Sequence, residues 1–138
     1  MTEPPEDAVA FDRFLGASTT AVAESARALR LAVLEAFPDA IEWFDQGNGL
    51  LAFGSSRTMR DLFLAIIPHK AHVNLQLVDG VDLPNPEGRI EGTGKRARHV
   101  KVRSIDDVWS TWVRAAIEAQ VVHRTGVRPS LERGLNPA

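Results

Sequence analysis

The residues that could do chemistry lie between positions 42 and 103. His69, Lys70 and His72 form a ProHisLysAlaHis cluster, and Glu42 sits between Ile41 and Trp43. From Arg89 to Arg103, six bases (Arg89, Lys95, Arg96, Arg98, Lys101, Arg103) accompany His99, with Glu91 as the one acid. Imidazoles titrate near neutral pH and ligate metals through a neutral nitrogen. Guanidinium and ammonium groups attract carboxylates and phosphates. Two chemistries are therefore open: capture of an anion, and a metal or acid/base constellation of Glu42, His72 and His99.

Spacing removes the stronger catalytic templates. A P-loop needs four residues between its first glycine and the Gly-Lys pair, then Ser or Thr and a helix. Here five residues separate Gly88 from Gly94, Arg96 follows Lys95, and a strand is expected next. What remains is a small nest of backbone N–H groups beside Lys95 and Arg96. There is no HisGluXaaXaaHis pair, and GlySerSerArg at 54–57 lacks the following glycine of a nucleophile elbow. The absence of cysteine excludes disulfides, thiolate metal sites and cysteine nucleophiles. A small enzyme using His72 or His99 as base is thus the weakest reading, and a non-catalytic one leads. The basic run carries no interleaved aromatic and the net charge is −2, so nucleic acid is not the expected partner.

The elements that must position these groups follow from periodicity. Residues 6–16 place Ala10 with Phe14 and Phe11 with Leu15 on a short helix that Gly16 ends. Val22, Ala26, Leu29, Val33 and Phe37 form the apolar stripe of a long helix stopped by Pro38. Ile41–Asp45 and Leu50–Phe53 flank GlnGlyAsnGly as a hairpin, and Leu62–Ile67 reads as a buried strand. His72–Val78 and His99–Arg103 alternate. Val73, Leu75, Leu77, Val100 and Val102 point one way; His72, Asn74, Gln76, His99, Lys101 and Arg103 point the other. His69 to His72 is taken as extended chain, which sends the two imidazoles to opposite sides and disfavours a two-histidine clamp. Glu42 is placed with the polar set. Ser104 starts a last helix with Ile105, Val108, Trp109, Trp112, Ala116 and Ala119 on one stripe, and both tryptophans are expected in the core.

The expected fold is therefore α+β: a small, mainly antiparallel sheet of about five strands with helices packed on one face. Residues 1–124 are expected to form one domain and residues 125–138, with two Gly and two Pro, an irregular tail. At 138 residues and 44% hydrophobic, the chain can bury a core without staples. No apolar run approaches the roughly 18 residues of a membrane span. The start, MTEPPEDAVAF, is acidic where a secretory signal is basic. A soluble cytoplasmic protein with no membrane partner is the expectation. The net charge hides an asymmetry, since residues 1–69 carry −5 and residues 70–138 carry +3.

Four stretches, Glu42–Gly54 (EWFDQGNGLLAFG), Leu62–Leu75 (LFLAIIPHKAHVNL), Leu83–Gly88 (LPNPEG) and Glu91–Val102 (EGTGKRARHVKV), resemble the YdhG-like family of domains of unknown function. The resemblance covers about residues 10 to 120. It implies an α+β fold with a small antiparallel sheet backed by helices. Some relatives are described as frataxin-like iron chaperones, so it also implies iron as a cargo, with Glu42, His72 and His99 as the ligands open to it.

The leading expectation is a binding module. Glu42, Lys70, His72, Asn74, Lys95, Arg96, Arg98, His99 and Lys101 form its groove, and its partner is a small anionic ligand, an acidic protein segment or a second copy of the chain. A concave groove would favour the small ligand and a flat face the protein partner.

Overall fold

A computed structural model of the chain describes residues 6–126. The expected tail therefore falls, from residue 127 onward, outside the described residues.

Helix α1 spans Glu6–Phe14 and a 3-10 turn at Leu15–Ala17 follows it. Thr19 then caps α2, Thr20–Ala36, by accepting the amide of Val22 at 3.2 Å, which satisfies one of the donors a helix start leaves free. Its stripe of Val22, Ala26, Leu29 and Val33 is almost wholly buried. Five strands come next: β1 Ile41–Asp45, β2 Leu50–Gly54, β3 Leu62–Pro68, β4 Val73–Leu77 and β5 Arg98–Val102. They form one antiparallel sheet in sequential order, each strand beside the next. Two helices end the described chain, α3 at Ile105–Val108 and α4 at Thr111–Thr125.

Register sorts the side chains into two faces, because directly paired residues project to the same side. Phe44 pairs with Leu51, Leu51 with Ile66, Ile66 with Leu75, and Leu75 with Val100; this row and its Phe53–Leu64–Leu77 neighbour carry the core. All the helices pack here. Phe11 of α1 meets Phe44 edge-on at 5.7 Å, while α2 and α4 supply Leu29, Val33, Val113 and Ile117. Where the β2–β3 register shifts beside Phe53 and Gly54, Phe63 is the extra residue. Such a bulge lets its ring join the helical side, where it stacks on Phe37 at 4.8 Å.

Among the described residues no helix covers the opposite face. One row across it reads Trp43, Ala52, Ala65, Gln76, His99, and the next reads Ile67, Asn74, Lys101. The α+β class and the one-sided helical layer match the alternation of the strands.

Three local expectations are corrected. The last helix is not continuous from Ile105. Ser110 restarts it by accepting the amide of Val113 at 3.3 Å, and the buried set becomes Val108, Val113, Ala116, Ile117, Gln120 and Val121. Trp109 consequently lies at the break, 46% exposed, rather than in the core, and Trp112 is only partly buried. Residues 69–72 are not extended chain either. Pro68 pairs with Val73, and the His69 amide donates to the His72 carbonyl at 2.8 Å, so Lys70 and Ala71 form a two-residue turn. The helix ending at Thr125 also takes the first residue assigned to the tail, with Gly126 as a left-handed cap at φ 77°.

Candidate functional site

The turn at Lys70–Ala71 makes His69 and His72 a cross-strand pair. Their rings stack at 4.9 Å between centroids, and the Asn74 amide nitrogen lies 3.2 Å from His69 Nε2. One residue beyond the Val73–Val102 pair, His72 faces Arg103, while Asn74 pairs directly with Lys101. One end of the uncovered face thus gathers His69, His72, Lys101 and Arg103, with the exposed Lys70 at the turn tip. Burial, then the neighbouring His69, Lys101 and Arg103, hold His72 below the ordinary imidazole value. Glu91 is the carboxylate beside this group. It pairs with His99 as an isolated bridge and lies 3.5 Å from Lys101 Nζ and 3.8 Å from His99 Nε2.

Other residues of the expected groove go elsewhere. Glu42 pairs with Phe53 and therefore faces the helices, where it accepts from Arg30 Nε at 2.9 Å and Nη2 at 2.5 Å. That bidentate contact, against a partial burial cost, raises the Arg30 pKa above its ordinary value and ties α2 to β1. Arg98 pairs with Leu77, also on the helical side, and donates from Nε to the Gly94 carbonyl at 2.9 Å. Arg96 reaches the buried carboxylate of Asp79. Lys95 is exposed in the loop before β5. His99 and His72 share a face, but His99 pairs with Gln76, four residues from His72, which is about 13 Å at strand rise. The Glu42, His72 and His99 constellation does not assemble. Among the described residues no group of three His, Cys, Asp or Glu side chains converges on a metal position.

Asp79 was not marked by the sequence. Its carboxylate, fully buried just after β4, accepts from Gln120 Nε2 at 2.8 Å, Arg124 Nε at 2.6 Å and Nη2 at 3.2 Å, and from Arg96. Its own amide donates back to Gln120 Oε1 at 2.8 Å. Burial opposes ionisation, yet the donors from Arg124, Gln120 and Arg96 outweigh it and hold the carboxyl far below its usual range. With four donors on its two oxygens, this cluster fastens α4 and the segment before β5 to the sheet. Its partners stand 17, 41 and 45 positions along the chain, so no local pattern announces it.

A second feature the sequence did not mark is a cleft of about 390 Å³ between α4 and the loop of residues 82–90. The Arg89 guanidinium sits 4.3 Å over the Trp112 ring at its side. Two further cavities, of about 10 and 370 Å³, are also lined by helical residues.

No family model, curated protein or solved structure matches this chain.

Proposed function

We propose that the chain is a non-catalytic binding module that takes an acidic protein segment on the end of its uncovered sheet face formed by His69, Lys70, His72, Lys101 and Arg103. The observation that carries this reading is the register of β4 and β5, which stands His72 against Arg103 and Asn74 against Lys101, with His69 stacked alongside. Lys70, Lys101 and Arg103 carry the charge here, with Glu91 3.5 Å from Lys101 as the carboxylate already beside them, and charge-assisted hydrogen bonds donated by Lys and Arg would hold the carboxylates of a partner in place. These residues stand on an open strand face and an exposed turn, which favours an extended segment over an enclosed small anion. The resemblance to the YdhG-like family belongs to this proposal and adds the helix-backed sheet as its frame. The iron-carrier reading gains no support from the geometry, since its three ligands stand apart.

NMR titration with a Glu/Asp-rich peptide tests the proposal. Amide shifts should concentrate at residues 69–76 and 98–103, weaken with added salt, and shrink in Lys101→Ala and Arg103→Ala variants. Shifts elsewhere, or binding indifferent to both changes, would refute it.

A further inference from the structure

We propose, resting on the acidic-segment reading above, that the segment binds as an added strand on the outer edge of β5, its backbone pairing with Lys101 and its acidic side chains lying on the uncovered face.

β5 ends the strand order, so only β4 pairs with it as a full strand. Its outer edge already accepts one residue of the chain itself. Glu91 donates its amide to the His99 carbonyl at 2.8 Å and accepts the His99 amide at 2.9 Å, forming an antiparallel bridge. Paired residues project to the same side of a sheet, and the Glu91 carboxylate accordingly lies on the uncovered face, 3.5 Å from Lys101 Nζ. One residue of the chain thus has both features required of a partner: extended backbone on the edge and a carboxylate beside the cations.

The bridge is isolated. Before Glu91 the chain leads to α4, where the Arg89 guanidinium lies 4.3 Å over Trp112. Backbone groups along an antiparallel strand alternate in direction, so with His99 bonded outward, Lys101 is directed outward as well. Among the described residues nothing pairs with the Lys101 amide or carbonyl on that side. Two positions further on, the Arg103 amide is closed by Asp107 Oδ2 at 2.9 Å, which confines the free edge to the stretch around Lys101. Unpaired edge groups are a template for a further strand, and strand addition leaves specificity to alternate side chains. In the antiparallel sense set by Glu91, partner residues opposite Arg103 and Lys101 stand two apart and share the uncovered face with those cations. A Glu-Xaa-Glu segment matches both positions.

NMR titration of the full chain with acetyl-Val-Glu-Val-Glu-Val-amide tests this mode. The peptide should shift the Lys101 amide and slow its hydrogen exchange. N-methylating both glutamates, whose amides would face β5, should weaken binding roughly tenfold or more, whereas N-methylating the valine after each, whose amides would face away, should change it less than about twofold. Replacing both glutamates by glutamine should also weaken binding. Equal tolerance of the two methylation patterns, greater loss from the valine pattern, or full binding of the glutamine peptide would overturn strand pairing by an acidic segment. If the unmodified peptide does not bind while a Glu/Asp-rich peptide still shifts residues 69–76, strand pairing falls and the acidic-segment reading stands; if neither binds, both fall.

Discussion

His69 and His72 stack their rings at 4.9 Å across a two-residue turn, with Lys101 on the strand beside them and Arg103 just past its end. Both imidazoles are therefore near groups that gain or already carry positive charge, and protonation of His72 is disfavoured in the fold.

This relationship sets a pH dependence. The unfolded chain protonates His72 near the ordinary value of about 6.5, while the folded chain does so only at lower pH. The unfolded state then binds more protons in that window, so stability falls as pH drops through about 6.5 and levels off below the folded value. His72→Gln should flatten this part of the curve. Urea midpoints measured from pH 7.5 to 5 for both proteins check it; parallel curves would contradict it.

Asp79 carries the largest expected penalty. Replacing it by Ala leaves the Arg124 guanidinium and the buried Gln120 amide without their acceptor, and breaking such a buried pair costs about 3–5 kcal/mol. Its pH signature is large where that of an ordinary exposed carboxylate, which changes little on folding, is nearly absent. Because its folded pKa is depressed, its contribution is complete above about 4 and is lost as pH falls through that value toward the folded one. Chemical denaturation of Asp79→Ala at pH 7 and at pH 3 should show the difference from the parent protein shrinking in acid.

Gly54 is required by space rather than by dihedral freedom. A Cβ there would collide with the backbone carbonyl of Asp61 and crowd the Leu62 Cα, just where the β2–β3 register shifts. Backbone cannot swing aside as a flexible side chain can, so Gly54→Ala should destabilise by roughly 1–3 kcal/mol. Gly16→Ala, with nothing within 4 Å of the added methyl, is the control that should unfold at nearly the parent temperature.

The two ends of the packing scale should separate cleanly. Phe53→Ala empties a fully buried position and should cost about 3–5 kcal/mol. Trp109→Ala, at 46% exposure on the α3–α4 break, should cost far less despite the larger side chain. Thermal unfolding of the two variants side by side would expose an error if Trp109 proved the more damaging.

Alternation made the sheet legible. The apolar and polar sets of residues 73–77 and 98–102 identify the covered and uncovered faces directly. The same rule failed for Glu42, because both sides of β1 carry aromatics: Trp43 lies on the open face and Phe44 under the helices. Alternation says that Glu42 goes with Phe44, and only the pairing with Leu51 and Phe53 says which side that is. The Lys70–Ala71 turn was hidden for another reason. It uses no glycine, and among the described residues only glycines take positive φ, so the reversal leaves no mark in residue type. The helix break at Trp109 rested on Ser110, a cap that reads from sequence as an ordinary polar position within a stripe. The Asp79 cluster and the α4 cleft arise from segments far apart in the chain, beyond the reach of any window along it.

The sequential order of the strands has a consequence for synthesis. Each strand closes on the one made just before it, so the sheet can zip up in the direction in which a ribosome delivers it. Asp79 breaks that progression, because Gln120 and Arg124 arrive some forty residues after it. Until α4 emerges, Arg96 is the one charged partner of that carboxylate already made, and a chain stalled before residue 120 lacks the Gln120 and Arg124 donors. The last helix therefore acts as a latch on a sheet that is otherwise complete.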